Sequence, residues 1–275
     1  MPPRVGTCGF ALPQAQYFRS FSLIEIQQTF YQPPQPQTAQ RWRQAAPENF
    51  VFTLKAFQAI THYPGSPTYR RSRLSAAERH QCGEFRDTPV VRYAWHTTLE
   101  IARLLKAPLV IFQCPAQFTP TAEHLKNLRS FFRWADRDGL SFGFEPRGEA
   151  WHDELVREVC RECDLLHVVD PFERQSVWGA VRYYRLHGNG NVNPPAGYRH
   201  RYSDQELRQL VAWCDTADCY CLFNNVSMAE DALRFAKLVR EKLAARMPCR
   251  APCQRAADSN NRCHMPLRDF PMGTA

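Results

Sequence analysis

Ten polar side chains stand at or just past the ends of short apolar runs in this 275-residue chain: Glu25, Lys55, Gln113, Glu145, Arg147, Asp170, Arg185, His187, Asn224 and Asn225. Three carboxylates and three cations gathered in one low-dielectric place would shift each other's proton affinities, which is what acid–base chemistry on a polar substrate requires. In such a set Glu145 is a general base or a metal ligand, His187 a general acid, and Asp170 the group that orients a neighbouring cation or imidazole. Lys55, Arg147 and Arg185 are anion clamps, with Glu25, Gln113, Asn224 and Asn225 as further polar contacts and Trp151 as an aromatic wall for the substrate. Glu145 and Arg147 are two apart, as are Arg185 and His187, and residues two apart on a strand share a face. The competing reading is a structural ring of ion pairs that only plugs the space.

Glu25, Glu145, Asp170 and His187 together would offer an oxygen-rich site with one nitrogen, which suits a single Mg or Mn ion or none. Only His187, and after it His62, falls at the end of a run, so a multi-zinc centre is disfavoured. The stretch from Gly188 to Asn193, with Asn224 and Asn225, could cradle a phosphate, although it lacks the Lys-Ser/Thr ending of a P-loop and reads equally as a plain turn. Of the eleven cysteines, Cys8, Cys114, Cys219 and Cys221 lie in or beside the runs, where a free thiol packs as a small apolar group. Cys160 and Cys163 form a C-x-x-C without a second pair at zinc-finger spacing. Cys249, Cys253, Cys263 and His264 crowd one Pro-interrupted stretch near the end, a weak metal signal because Cys263 and His264 are adjacent.

The elements that must position these groups are eight apolar runs: Val5 to Cys8, Leu23 to Gln27, Phe50 to Lys55, Leu109 to Gln113, Ser141 to Glu145, Leu165 to Asp170, Val181 to His187 and Cys219 to Asn224. They are apolar at nearly every position rather than alternating, as expected of parallel strands covered on both faces. Between them lie amphipathic stretches such as Thr121 to Asp138 and Ser203 to Asp215, the second opened by a capping pattern, Ser203 to Glu206. The sequence from Pro171 to Gly179 offers only a loop or a turn. A strand-then-helix rhythm repeated eight times predicts a single closed (β/α)8 barrel of the TIM type, an α/β fold, with an insertion after the third strand and a short C-terminal extension. The expected division is a barrel over residues 1–246 and a basic, Cys-containing tail over 247–275.

The net charge of +8 looks like a nucleic-acid signal until it is located. Residues 240–275 and 70–86 carry almost all of it, leaving a near-neutral barrel with a basic tail and a basic insertion. No apolar run approaches the length of a membrane span, and the first strand begins within a few residues of the start, so no membrane association and a cytoplasmic location are expected.

Several motifs, taken in order, carry a resemblance. Gly6-Thr7-Cys8-Gly9-Phe10, Ile24-Glu25-Ile26 with Thr29-Phe30-Tyr31, Phe52-Thr53-Leu54-Lys55-Ala56 with Thr61-His62, Phe112-Gln113-Cys114-Pro115, Phe144-Glu145-Pro146-Arg147 with Trp151, Tyr184-Arg185-Leu186-His187-Gly188 and Phe223-Asn224-Asn225 together resemble the domain of unknown function 72, or YecE-like, family. The match runs from about Val5 to Leu238. It implies a barrel of the triosephosphate isomerase type without an established activity, similar in shape to xylose-isomerase-like and endonuclease-IV-like barrels. The sequence departs from the pattern at Cys8, where Ser is usual, at Gln27-Gln28, where Asn-Ser is usual, and at Pro146, where an aromatic is usual.

The expectation that follows is an enzyme, a hydrolase or an isomerase, acting on a phosphorylated or nucleotide-containing polar substrate at the C-terminal mouth of the barrel. The alternative is a nucleic-acid-binding module that uses the basic insertion and tail without catalysis.

Overall fold

The computed structural model describes residues 2–188, 197–215 and 217–246. The expected tail and most of the Gly188–Asn193 stretch therefore lie outside the described residues. Eight parallel strands close into one barrel in sequence order, with β8 returning to pair with β1 through Thr7 and Phe223. They are β1 Arg4–Cys8, β2 Leu23–Ile26, β3 Val51–Lys55, β4 Leu109–Gln113, β5 Ser141–Glu145, β6 Leu165–Val169, β7 Arg182–Leu186 and β8 Cys219–Phe223. The helices are α1 Gln14–Ser20, α2 Gln28–Tyr31, α3 Pro36–Ala45, α4 Ala76–His80, α5 Pro89–Leu105, α6 Ala122–Trp134, α7 Asp153–Glu162, α8 Asp204–Trp213 and α9 Met228–Arg246. None is long and apolar enough to cross a membrane.

Local sequence explains where the elements start and stop. Thr88 accepts a hydrogen bond from Val91 N at 3.2 Å and Pro89 fills the first turn, which starts α5. The Ser203–Glu206 pattern forms a reciprocal capping box, with Glu206 N donating to Ser203 Oγ at 3.2 Å and Ser203 N to Glu206 Oε2 at 2.7 Å. α6 stops at Trp134, short of Asp138, because the chain turns through Asp138 and Gly139 at φ 47° and 77° to enter β5. As expected of Pro171 to Gly179, which offers only a loop or a turn, no helix follows β6. That segment instead folds back on the strand, with Val177 N donating to His167 Nδ1 at 3.1 Å and Ser176 Oγ to His167 O at 3.2 Å. The insertion after β3 carries a 3₁₀ turn, Pro67–Arg71, and α4.

The core has two parts. Ile24, Phe52, Val110, Phe112, Phe142 and Phe144 face outward and pack with the helix layer. Cys8, Leu23, Leu109, Ile111, Val168, Tyr183 and Leu222 face inward and fill the lower lumen. Gly143 leaves room for that plug: a Cβ there would meet Ile111 Cδ1 and Val168 Cγ2, each at 2.7 Å. Because the lumen is filled with apolar atoms below, inward-facing polar side chains can gather only in the layer above, at the C-terminal ends of the strands.

Candidate active site at the C-terminal mouth

Arg185, on β7, is the centre of that polar layer. Its guanidinium donates to Glu25 of β2 through Nε (3.1 Å to Oε2) and Nη2 (2.8 Å to Oε1), to Glu145 Oε2 of β5 through Nη1, and to Gln113 Oε1 of β4 at 3.1 Å. Tyr183 OH, one layer down, donates to Glu25 Oε2 at 2.8 Å and lies 2.7 Å from Thr53 Oγ1. Gln27 Nε2 donates to Glu25 Oε1. Cys8 Sγ lies 3.6 Å from Glu25 Oε1 and 3.8 Å from Arg185 Nη2. With 1% of its surface exposed and its donors taken by two carboxylates and an amide, Arg185 has nothing left for a substrate anion. It holds Glu25 and Glu145 in place, whereas the Arg147 side chain is 32% exposed.

Glu145 is the hinge of the outer ring. Its Oε1 accepts from Arg147 Nη2 at 3.0 Å and lies 3.2 Å from His187 Nε2. On the other side His187 Nδ1 is 3.0 Å from Asn224 Nδ2. His187 Nε2 also lies 3.2 Å from Arg147 Nη2, and burial pulls the His187 pKa down to about 4, so the imidazole is neutral. Asp170 stands just past β6; its Oδ2 accepts from His187 N at 2.7 Å and its Oδ1 from Phe172 N at 3.0 Å.

The two carboxylates have opposite proton affinities. Burial alone would raise Glu145, but Arg185 and Arg147 together hold it well below the usual carboxylate range. Asp170 is lifted by burial to about 7, against the pull of its two N–H donors, and the neighbouring Glu173 and Glu145 charges add to the rise. Both line one cavity of about 820 Å³, with Arg147, His187, Tyr198, Trp151 and His167 among its walls. The cavity runs down to Arg174 and Asp153, along the flank where no helix follows β6.

Lys55, at the end of β3, stands beside this cavity rather than lining it. Its Nζ makes no hydrogen bond or ion pair among the described residues and sits 3.4 Å over the Phe30 ring. Burial, reinforced by the Arg185 charge, lowers its pKa to about 7. His62 packs edge-on against the same ring, 4.8 Å between centroids, and burial lowers it to about 3.

The donor set does not fit a Mg or Mn ion. Both oxygens of Glu25 and Glu145 are committed to arginine, tyrosine or glutamine donors, Asp170 accepts two backbone N–H groups, and a divalent ion on Glu145 would face two guanidinium groups.

Two expected contacts turn elsewhere. Trp151 is buried, with Nε1 donating to Phe118 O at 2.7 Å and its ring stacked on Phe118, so only an edge of it reaches the cavity wall. Asn225 faces away from the lumen: its Nδ2 donates to His200 O at 2.8 Å and Asp231 Oδ2 at 2.7 Å, securing the start of α9. Strand parity explains the split, since Leu222 points inward and therefore Asn224 does, while Asn225 cannot. The same parity brings in Tyr183 and Thr53, which sequence reading passed over. Cys160 and Cys163 are free thiols with no third ligand near them among the described residues.

A closed eight-stranded parallel barrel with a charged, cavity-lined C-terminal mouth defines the class as a (β/α)8 barrel of the TIM type. The family model for "Protein of unknown function DUF72" matches residues 12–258, and the chain belongs to that family. The UPF0759 protein YunF of Bacillus subtilis is 23% identical over 250 residues, spanning 78% of this chain and 81% of that protein. A DUF72 family protein of Thermotoga maritima superposes with a TM-score of 0.63 at 19% identity, over 87% of this chain and all of that one. A D-tagatose 3-epimerase-like protein shares the fold with a TM-score of 0.53 at 14% identity, over 88% of this chain and 97% of the other.

Proposed function

We propose that the mouth catalyses proton transfer in the isomerisation or epimerisation of a small, anionic polar substrate. The observation that carries this reading is the pair Glu145 and Asp170: two carboxylates in one cavity, bridged by His187, one held ionised and one able to carry a proton near neutral pH. Asp170 takes and returns the proton. Lys55, buried beside the cavity with its pKa lowered to about 7, adds a titratable positive charge to the field around Glu145. Arg147 binds the anion with the N–H groups it does not spend on Glu145, and Glu145 with neutral His187 supplies a fixed polar wall. The choice of isomerisation over hydrolysis follows from Glu145, which is too heavily neutralised by two arginines to serve as nucleophile or as the base for water. The likeness to an epimerase-like barrel concerns the fold and is compatible with this chemistry.

A thermal-shift series with inorganic phosphate and phosphorylated sugars tests it. A phosphorylated sugar should raise the melting temperature of the parent protein and leave that of Arg147→Met unmoved. Tight, steeply salt-dependent binding of a generic oligonucleotide, without any response to small anions, would instead favour the nucleic-acid-binding module.

A further inference from the structure

At the end of the barrel opposite the mouth, three thiols converge between α8 and β8. Cys214 caps the end of α8, and Cys219 and Cys221 stand two apart on β8, so they share the outward face while Tyr220 and Leu222 pack against the lumen. All three are buried and free. Their Sγ atoms close a triangle with edges of 3.3, 3.4 and 3.6 Å. Among the described residues no other three His, Cys, Asp or Glu side chains come close enough to share an ion.

The triangle has the dimensions of a metal site. A point equidistant from the three sulfurs lies about 2.0 Å from each, so an ion at the zinc–thiolate length of about 2.3 Å sits about 1.2 Å off their plane without any sulfur moving. Opening the edges to about 3.8 Å completes tetrahedral angles, a change within side-chain adjustment. Thiolate donors select a soft or borderline cation over Mg or Ca. Three thiolates and one divalent ion leave a single negative charge, and Lys242 and Arg182 are close enough to act electrostatically on Cys214 and Cys219 respectively. Lys242 also pairs with Asp215 at 3.0 Å, so the last turns of α9 pack beside the same corner.

We propose that Cys214, Cys219 and Cys221 bind one thiophilic divalent cation, with zinc as the physiological candidate and water or an added thiol as the fourth ligand. The ion is structural: it ties the end of α8 to β8 at the face of the barrel that carries no catalytic group, so it is independent of the chemistry at the mouth.

The test uses the full chain with Cys249, Cys253 and Cys263 changed to Ser, reduced and freed of metal, so that any thiolate signal comes from the remaining cysteines. Cobalt(II) should produce sulfur-to-cobalt charge-transfer absorption and the d–d bands of a tetrahedral site, saturating at one ion per chain and bleached by one equivalent of zinc. Zinc should also raise the melting temperature. Both responses should vanish in Cys221→Ser and in Cys214→Ser, the latter at a helix end where loss of one sulfur leaves the strand packing intact; circular dichroism confirms folding of each. No charge-transfer band in folded, reduced protein would overturn the proposal, as would a band that survives both substitutions. So would a disulfide between two of the three thiols that forms as fast with zinc present as without it.

Discussion

Replacing Lys55 by methionine removes a charge that the fold holds at a cost. The amine leaves water for a place where its close partner is the face of Phe30, and burial with the Arg185 field brings its pKa from the ordinary 10.5 to about 7. Each pKa unit corresponds to about 1.4 kcal/mol, so the full displacement weighs about 5 kcal/mol against the charged form. The folded-state pKa is depressed, so the stability that neutral Lys55 allows is complete above pH 10.5, falls as pH drops towards 7, and stays lost below it. Lys55→Met has no such dependence and keeps the aliphatic stem against Phe30. Allowing for water penetration and the lost cation–π contact, the variant should exceed the parent by about 2 to 5 kcal/mol at pH 6, with the gain shrinking to about 1 kcal/mol or less by pH 10. Urea melts at pH 6, 8 and 10 read this directly. A variant no more stable than the parent at pH 6, or a gain that does not change with pH, refutes the reasoning.

Asp170 has the opposite sign: its raised pKa makes the parent lose stability as pH climbs from about 4 to about 7, and Asp170→Asn should flatten that part of the profile in the same melts. Arg185→Met strands Glu25 and Glu145 as buried, unpaired carboxylates and should cost about 3 to 5 kcal/mol or prevent folding, with partial recovery when Glu25→Gln is added, measured by denaturant unfolding. Trp151→Phe keeps the stacked ring but leaves Phe118 O without its donor, an expected loss of about 1 to 3 kcal/mol in stability that accompanies no change in anion binding.

Much of this molecule is readable from its residues. Strands such as Leu109–Gln113 and Ser141–Glu145 announce themselves because a parallel strand covered on both faces must be apolar almost throughout, and the first polar residue marks where it emerges. That rule alone brings Glu25, Lys55, Gln113, Glu145, Asp170, Arg185, His187 and Asn224 to one end. It does not say who pairs with whom. Arg185 reads as a clamp until its neighbours are seen to consume its donors, and Glu145 reads as a base until two guanidinium groups are found against it. Asn225 and Trp151 went to structural duties because a helix start and a buried loop needed hydrogen bonds, demands that appear only once the chain is folded. The converging thiols of Cys214, Cys219 and Cys221 were half visible, since Cys219 and Cys221 share a strand face, but the approach of Cys214 depends on how the α8–β8 connection turns.

The opposed proton affinities of Glu145 and Asp170 are the core of the functional reading, and carboxyl carbon-13 nuclear magnetic resonance on protein labelled at Asp and Glu measures them directly. Signals assigned through Glu145→Gln and Asp170→Asn should show Asp170 titrating with a midpoint near 7 while Glu145 stays ionised down to the lowest pH at which the protein remains folded. An Asp170 signal already ionised at pH 5, or the two carboxyls titrating together, would contradict it.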